Sequence, residues 1–133
     1  MGRLKSIMVV DDDEVNNFIL KELLLEADVA DEINIKSSVD EAIAGLSGAK
    51  GNSIPQLILL DINMPVKDGF DFLEEYYENG LDTNETRIIL LTSSLFERDK
   101  AAVSKYPRVV DFVIKPLDMG YFKRLVSQIA VSS

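Results

Sequence analysis

The sequence predicts an α/β fold: five parallel strands in one doubly wound sheet, with helices on both faces. Two observations lead there. Short runs of β-favouring aliphatics recur five times, at residues 6–10, 32–36, 57–60, 87–91 and 109–114, bounded by charged or turn-forming residues. After each run, apolar residues recur every three or four positions, the spacing of a helix with one face on a core. Strand and helix alternating in this way imply right-handed crossovers, and hence parallel strands with helices covering the sheet on both sides. The 133 residues read as a single domain, 1–133, with no internal repeat and no output domain in view. A chain of this length buries roughly two-thirds of its unfolded surface, so a core is expected without staples.

The first strand, SIMVV at 6–10, runs straight into the acids Asp11, Asp12, Asp13 and Glu14. Val15, Phe18, Ile19, Leu20, Leu23, Leu24 and Ala27 then recur at helical spacing. The first helix therefore begins just past the acids, which suit its free N–H groups and positive end. EINIK at 32–36 alternates and predicts a less buried strand. Val39, Ala42, Ile43 and Leu46 stand at i, i+3, i+4 and i+7 of a second helix capped by Ser38. Residues 47–55, rich in glycine, serine and proline, read as a surface loop.

The central stretch is LILLDINMPVKDG at 57–69. Its aliphatic run stops abruptly at Asp61, and a Met64-Pro65 turn and Asp68-Gly69 follow. A carboxylate at the end of a buried strand is held at the margin of a dry core, where it is positioned and partly desolvated. Phe70, Leu73 and Tyr77 space a third helix that stops near Asn79-Gly80. RIILL at 87–91 is the fourth strand and ends at Thr92-Ser93-Ser94. A fourth helix, about 96–104, has only Ala101, Ala102 and Val103 as an apolar face and is expected to pack least firmly. The fifth strand, 109–114, runs into Lys115-Pro116, and Phe122, Leu125, Val126 and Ile129 mark the last helix.

Composition removes several function classes. There is no cysteine, so neither disulfides nor thiolate metal sites are available, and no histidine, so every imidazole-based catalytic or metal-binding arrangement is absent. A formal charge of -9 argues against direct contact with nucleic acid or an anionic membrane. Nothing resembles a signal peptide or a membrane span, and a cytoplasmic location is expected. The chemistry must rest on carboxylates, hydroxyls, lysine and backbone.

Residues just past the strands of a parallel sheet share one rim, where open α/β folds bind ligands. Here that rim collects Asp11 and Asp12 after the first strand, Asp61 after the third, Thr92 after the fourth and Lys115 after the fifth. Each has an ordinary explanation alone: helix cap, turn residue or solvated lysine. Their convergence is harder to dismiss. Crowded carboxylates repel unless a cation joins them. Oxygen-only ligands, few in number and with room for water, favour Mg²⁺ over Ca²⁺. With Mg²⁺ and Lys115, such a site is balanced for a phosphoryl dianion. Asp61 could then attack phosphorus to form an acyl phosphate, with Thr92 donating a hydrogen bond to it.

VVDDDE, LLDINMPVKDG, LLTSS and FVIKP, in this order and spacing, resemble the receiver domain of two-component response regulators over essentially the whole chain. The resemblance implies the flavodoxin-like strand order 2-1-3-4-5. It implies that Asp61 is the phosphoacceptor, that Asp12 and Asp61 bind Mg²⁺ directly, that Asp11 acts through a metal-bound water, and that Asn63 lends its backbone carbonyl. Asp13 and Glu14 match no family ligand and are left as helix-start acids. Thr92 is similar to the family's switch hydroxyl, Lys115 to its phosphate-pairing lysine, and the Lys115-Pro116 bond is expected to be cis. The aromatic switch position is Phe112, which has no hydroxyl to offer a partner. Asn63 and Ser94 flank the site and are expected to tune hydrolysis of the phosphate.

The expected donor is a histidine kinase or a histidine phosphotransfer protein acting in trans. Phosphorylation would draw Thr92 inward, admit Phe112 and change the surface of the fourth helix, fifth strand and last helix, for docking to a protein target or onward transfer. The chain resembles stand-alone receivers, monomeric or weakly dimerising on phosphorylation, and is no enzyme beyond its own phosphorylation and dephosphorylation. An alternative is a pseudo-receiver that binds partners without phosphorylation. A dehalogenase-type phosphatase wants a second Asp where Asn63 stands, and a mononucleotide binder would have phosphate repelled by residues 11–14.

Overall fold

In the computed structural model, residues 3–93, 101 and 104–132 are described. The expected fourth helix lies largely outside these residues, as does Ser94. The described strands are β1 (Leu4–Val10), β2 (Ala30–Lys36), β3 (Leu57–Asp61), β4 (Arg87–Thr92) and β5 (Val109–Ile114). They form one parallel sheet in the order β2-β1-β3-β4-β5. The described helices are α1 (Glu14–Ala27), α2 (Val39–Gly48), α3 (Gly69–Glu78) and a last helix, α4 (Met119–Ser132). Short 3₁₀ turns occupy Gly51–Ser53 and Leu81–Thr83. None of the described helices is long and apolar enough to cross a membrane.

Two apolar layers sandwich the sheet. On one side Leu20 and Leu24 of α1 and Phe122, Val126 and Ile129 of α4 pack on Ile7, Val9, Leu57, Leu59, Ile89 and Leu91. On the other, Val39, Ala42 and Leu46 of α2 and Phe72, Leu73 and Tyr76 of α3 pack on Met8, Val10, Ile58, Leu60, Ile88 and Leu90. All five residues of β3 are therefore buried, which is why that strand reads as a continuous aliphatic run. At roughly 1.5–3 kcal/mol per buried aliphatic side chain, these central strands anchor the rim that carries the acids.

The first two strands begin two residues earlier than the aliphatic runs suggest. β1 opens with buried Leu4 and exposed Lys5, an alternation before the continuous run, and Leu4 pairs with Ala30, the first residue of β2. Helix starts follow the expected caps. The Asp13 carboxylate accepts from the Val15 and Asn16 N–H groups, and Ser38 Oγ accepts from Glu41 N. Asp68 and Asp71 form a reciprocal capping box at α3.

Two helices bury faces that their spacing did not single out. In α1 only Asn17, Leu20 and Leu24 are buried, while Val15, Phe18, Ile19 and Leu23 are exposed. Apolar residues surround most of that helix, so periodicity marks a helix without choosing the stripe that meets the sheet. In α3 the stripe is Phe72, Leu73 and Tyr76, with the rings of Phe72 and Tyr76 stacked at 5.6 Å. Phe70 and Tyr77, expected on the buried face, lie at its margin.

Candidate functional site

Strand register brings the predicted residues together. Val10 pairs with Leu60, so Asp11 and Asp61 leave adjacent strands side by side. Asp61 pairs with Leu91 and Thr92 with Ile114, which sets Thr92 and Lys115 on the same rim. Asp11, Asp61 and Thr92 are buried, whereas Asp12 is exposed. One carboxylate oxygen from each of Asp11, Asp12 and Asp61 lies within 4.8 Å of the others. Lys115 Nζ stands 3.3 Å from Asp11 Oδ2 and 3.5 Å from Asp61 Oδ2. Of these, Asp12, Asp61 and Lys115 line a cleft of about 400 Å³ together with Asp13, Asn63 and Ser93.

The loop after β3 holds Asp61 from behind. Asn63 N–H donates to Asp61 Oδ1 at 3.0 Å, and the Asn63 amide donates to Thr92 Oγ1 at 3.2 Å and to Ser93 Oγ at 3.4 Å. Burial is the largest influence on Asp61 and pushes its carboxyl above the ordinary 3.8; the Asn63 N–H opposes this, the neighbouring Asp11 adds to it, and Lys115 opposes it. A carboxylate held this way gains from any cation that enters the cleft. The Lys115-Pro116 peptide is cis. Phe112, half-buried, packs against the α2–α3 side of the core rather than lining the cleft.

Three carboxylates with neither imidazole nor thiolate form an all-oxygen donor set, the chemistry of a small hard cation such as Mg²⁺. The exposed Asp12 and the open cleft leave room for water to complete the coordination that Mg²⁺ prefers. The donor set therefore fits that ion.

Two residues escaped the reading of the sequence. Asn16 donates its amide to Asp11 Oδ2 at 2.8 Å, and Asn17, buried, donates to the Asp11 backbone carbonyl at 2.8 Å. Their signal was consecutive asparagines in the first turn of a helix, where both are weak helix formers and favour local hydrogen bonding instead.

Comparison with known proteins agrees with this geometry. Residues 7–127 match the family model described as response regulator receiver domain. Response regulator Rcp1 of Synechocystis is 35% identical over 101 residues, covering 74% of this chain and 68% of its own length. Other curated relatives are longer, and the chain spans 48% of one and 30% of another. A two-component response regulator from Cytophaga hutchinsonii has a TM-score of 0.85 at 26% identity, covering 98% of this chain and 99% of its own. One from Legionella pneumophila has a TM-score of 0.80 at 30% identity, covering 97% and 99%. The family model runs from within β1 into α4 and includes every acid of the cleft, and the chain belongs to the response regulator receiver domain family, whose members are signalling receivers in two-component systems rather than classical enzymes.

Proposed function

We propose that this chain is a phosphoacceptor receiver in which Asp61 takes a phosphoryl group from a phosphohistidine of a partner kinase or phosphotransfer protein. The observation that carries this reading is the Asp61 carboxylate beside Asp11, Asp12 and Lys115 in an open cleft. In the transfer an Asp61 oxygen forms a bond to phosphorus as the donor N–P bond breaks, and the imidazole nitrogen leaves with the electron pair. Asn63 N–H holds the other Asp61 oxygen, orienting the attacking one. Lys115 Nζ, shared between Asp11 and Asp61, is a cation within reach of the incoming oxygens. Asp11, Asp12 and Asp61, with the Asn63 carbonyl, would hold Mg²⁺, which when bound supplies charge neutralisation for the phosphoryl oxygens.

Thr92 is the hydroxyl that would turn to the phosphoryl group, and Phe112 the side chain that would follow it, changing the β5 and α4 surface read by a protein target. Support for docking of the donor comes from α1. Its exposed Ile19 and Leu23 border an apolar groove of about 320 Å³ that reaches Lys115, Pro116 and Leu117 next to the cleft. A donor must cover this neighbourhood to bring its histidine to Asp61.

Incubation with Mg²⁺ and acetyl phosphate should add one phosphate by intact mass, and Asp61→Asn should abolish the adduct. A wild-type chain that stays unmodified under these conditions, yet binds its partners, is a pseudo-receiver and refutes the proposal.

A further inference from the structure

Asp11 is the most tightly specified carboxylate of the cleft. Its Oδ1 accepts from Asp13 N–H at 3.0 Å; its Oδ2 accepts from Asn16 Nδ2 at 2.8 Å and from Lys115 Nζ at 3.3 Å. A carboxylate offers about four acceptor positions, so roughly one remains for an ion or its water. Asp11 is only 2% exposed, and bulk water does not replace a donor that leaves.

Lys115 is the donor that can leave, since it also lies 3.5 Å from Asp61 Oδ2. Asn16 has no such second role. It sits in the first turn of α1, where alanine would be the better helix former, and its amide turns back onto the oxygen that Lys115 also approaches. Asn17 secures the same residue through its backbone carbonyl, at the expense of a buried Oδ1 with no partner. Two adjacent helix positions are thus given over to Asp11, one to its main chain and one to its carboxylate.

We propose that Asn16 is a positioning residue for the cation: it holds the Asp11 carboxylate independently of Lys115, so the metal-binding orientation survives when Lys115 turns to a phosphoryl group on Asp61. The inference rests on the phosphoacceptor reading. It differs from a packing role, because Asn16 acts through Asp11 and its loss should change ion affinity rather than the fold.

Mg²⁺ titration by calorimetry on the full chain tests it, with Asn16→Leu, of similar volume but no donor, and Asn16→Ala, a stronger helix former that keeps α1 intact. Both variants should raise the Mg²⁺ Kd about 10-fold, the lower end for loss of a group that orients a ligand. Labelling by acetyl phosphate should slow at low Mg²⁺ and return to the wild-type maximum at saturating Mg²⁺. Thermal unfolding in EDTA should remain cooperative and fall by only a few degrees, because Lys115 still reaches the oxygen that Asn16 vacates. A Kd within about twofold of wild type in both variants, or a lowered maximum rate that Mg²⁺ does not restore, overturns the inference while the phosphoacceptor reading stands. A wild-type chain that neither binds Mg²⁺ nor accepts phosphate overturns both.

Discussion

Gly69 opens α3, and its N–H donates to the Ile62 carbonyl at 3.3 Å. A Cβ at this position would lie 2.6 Å from Ile62 Cγ2 and 2.7 Å from Ile62 Cα. The γ-methyl could rotate away, but the backbone carbon cannot. Restoring ordinary carbon–carbon separation requires a shift of roughly 1 Å in the chain between Asp61 and Asn63 or in the start of α3. Ile62 is 4% exposed, so the loop has little room to yield. Overpacking of this kind costs roughly 1–3 kcal/mol, offset in part by about 0.5 kcal/mol from the lost freedom of glycine in the unfolded chain. Gly69→Ala should therefore destabilise by about 0.5–2.5 kcal/mol, lowering Tm by about 2–9 °C for a domain of this size. Because the strain falls on the residue joining Asp61 to Asn63, labelling by acetyl phosphate should also slow, by up to about 100-fold. Gly48→Ala is the control. Gly48 ends α2, where an added methyl would meet nothing within 4 Å, and the same substitution there should stabilise by about 0.5 kcal/mol. Urea unfolding of the two variants, with m unchanged, gives the comparison. Equal stability of Gly69→Ala and wild type, with equal labelling rates, would refute the steric account of the loop.

The remaining predictions concern titrating groups. Asp61 has its pKa raised in the fold, chiefly by burial, so its ionisation opposes folding: stability present below the ordinary 3.8 is lost as pH rises through the raised value. Asp61→Asn should accordingly be more stable than wild type at pH 7 in EDTA, and the gap should close as pH falls towards 4. A tenfold change in proton affinity corresponds to about 1.4 kcal/mol, and urea unfolding across pH 4–8 reads it. A gap that is constant with pH would separate the effect from ionisation. Tyr77 is also raised, first by burial and against the Arg108 N–H that donates to its hydroxyl at 2.9 Å. Wild-type stability should fall as pH climbs past 10. Tyr77→Phe should lose about 0.5–1.5 kcal/mol at pH 8, where that N–H is left unpaired, yet decline less steeply above pH 10. Parallel declines would assign the alkaline loss elsewhere.

Elements and site were legible to different depths. The sequence by itself determined the alternation of strands and helices, the cap at Ser38, the acidic start of α1, and the rim on which Asp11, Asp12, Asp61, Thr92 and Lys115 meet. These follow from local rules: aliphatic runs stop where the core stops, and parallel strands all end on one side. Only the tertiary structure decided which faces of α1 and α3 are buried. Along α1, Val15, Phe18, Ile19 and Leu23 are as apolar as Leu20 and Leu24, and the docked orientation is the one that carries Asn17 to the Asp11 carbonyl and leaves those four exposed. Periodicity carries no information about that rotation, because it measures spacing along one helix and not what stands opposite. The pairing of Lys115 with Asp11, 104 residues apart, is of the same kind. It is a distance between elements, set by the order of the strands in one sheet rather than by neighbours in the chain.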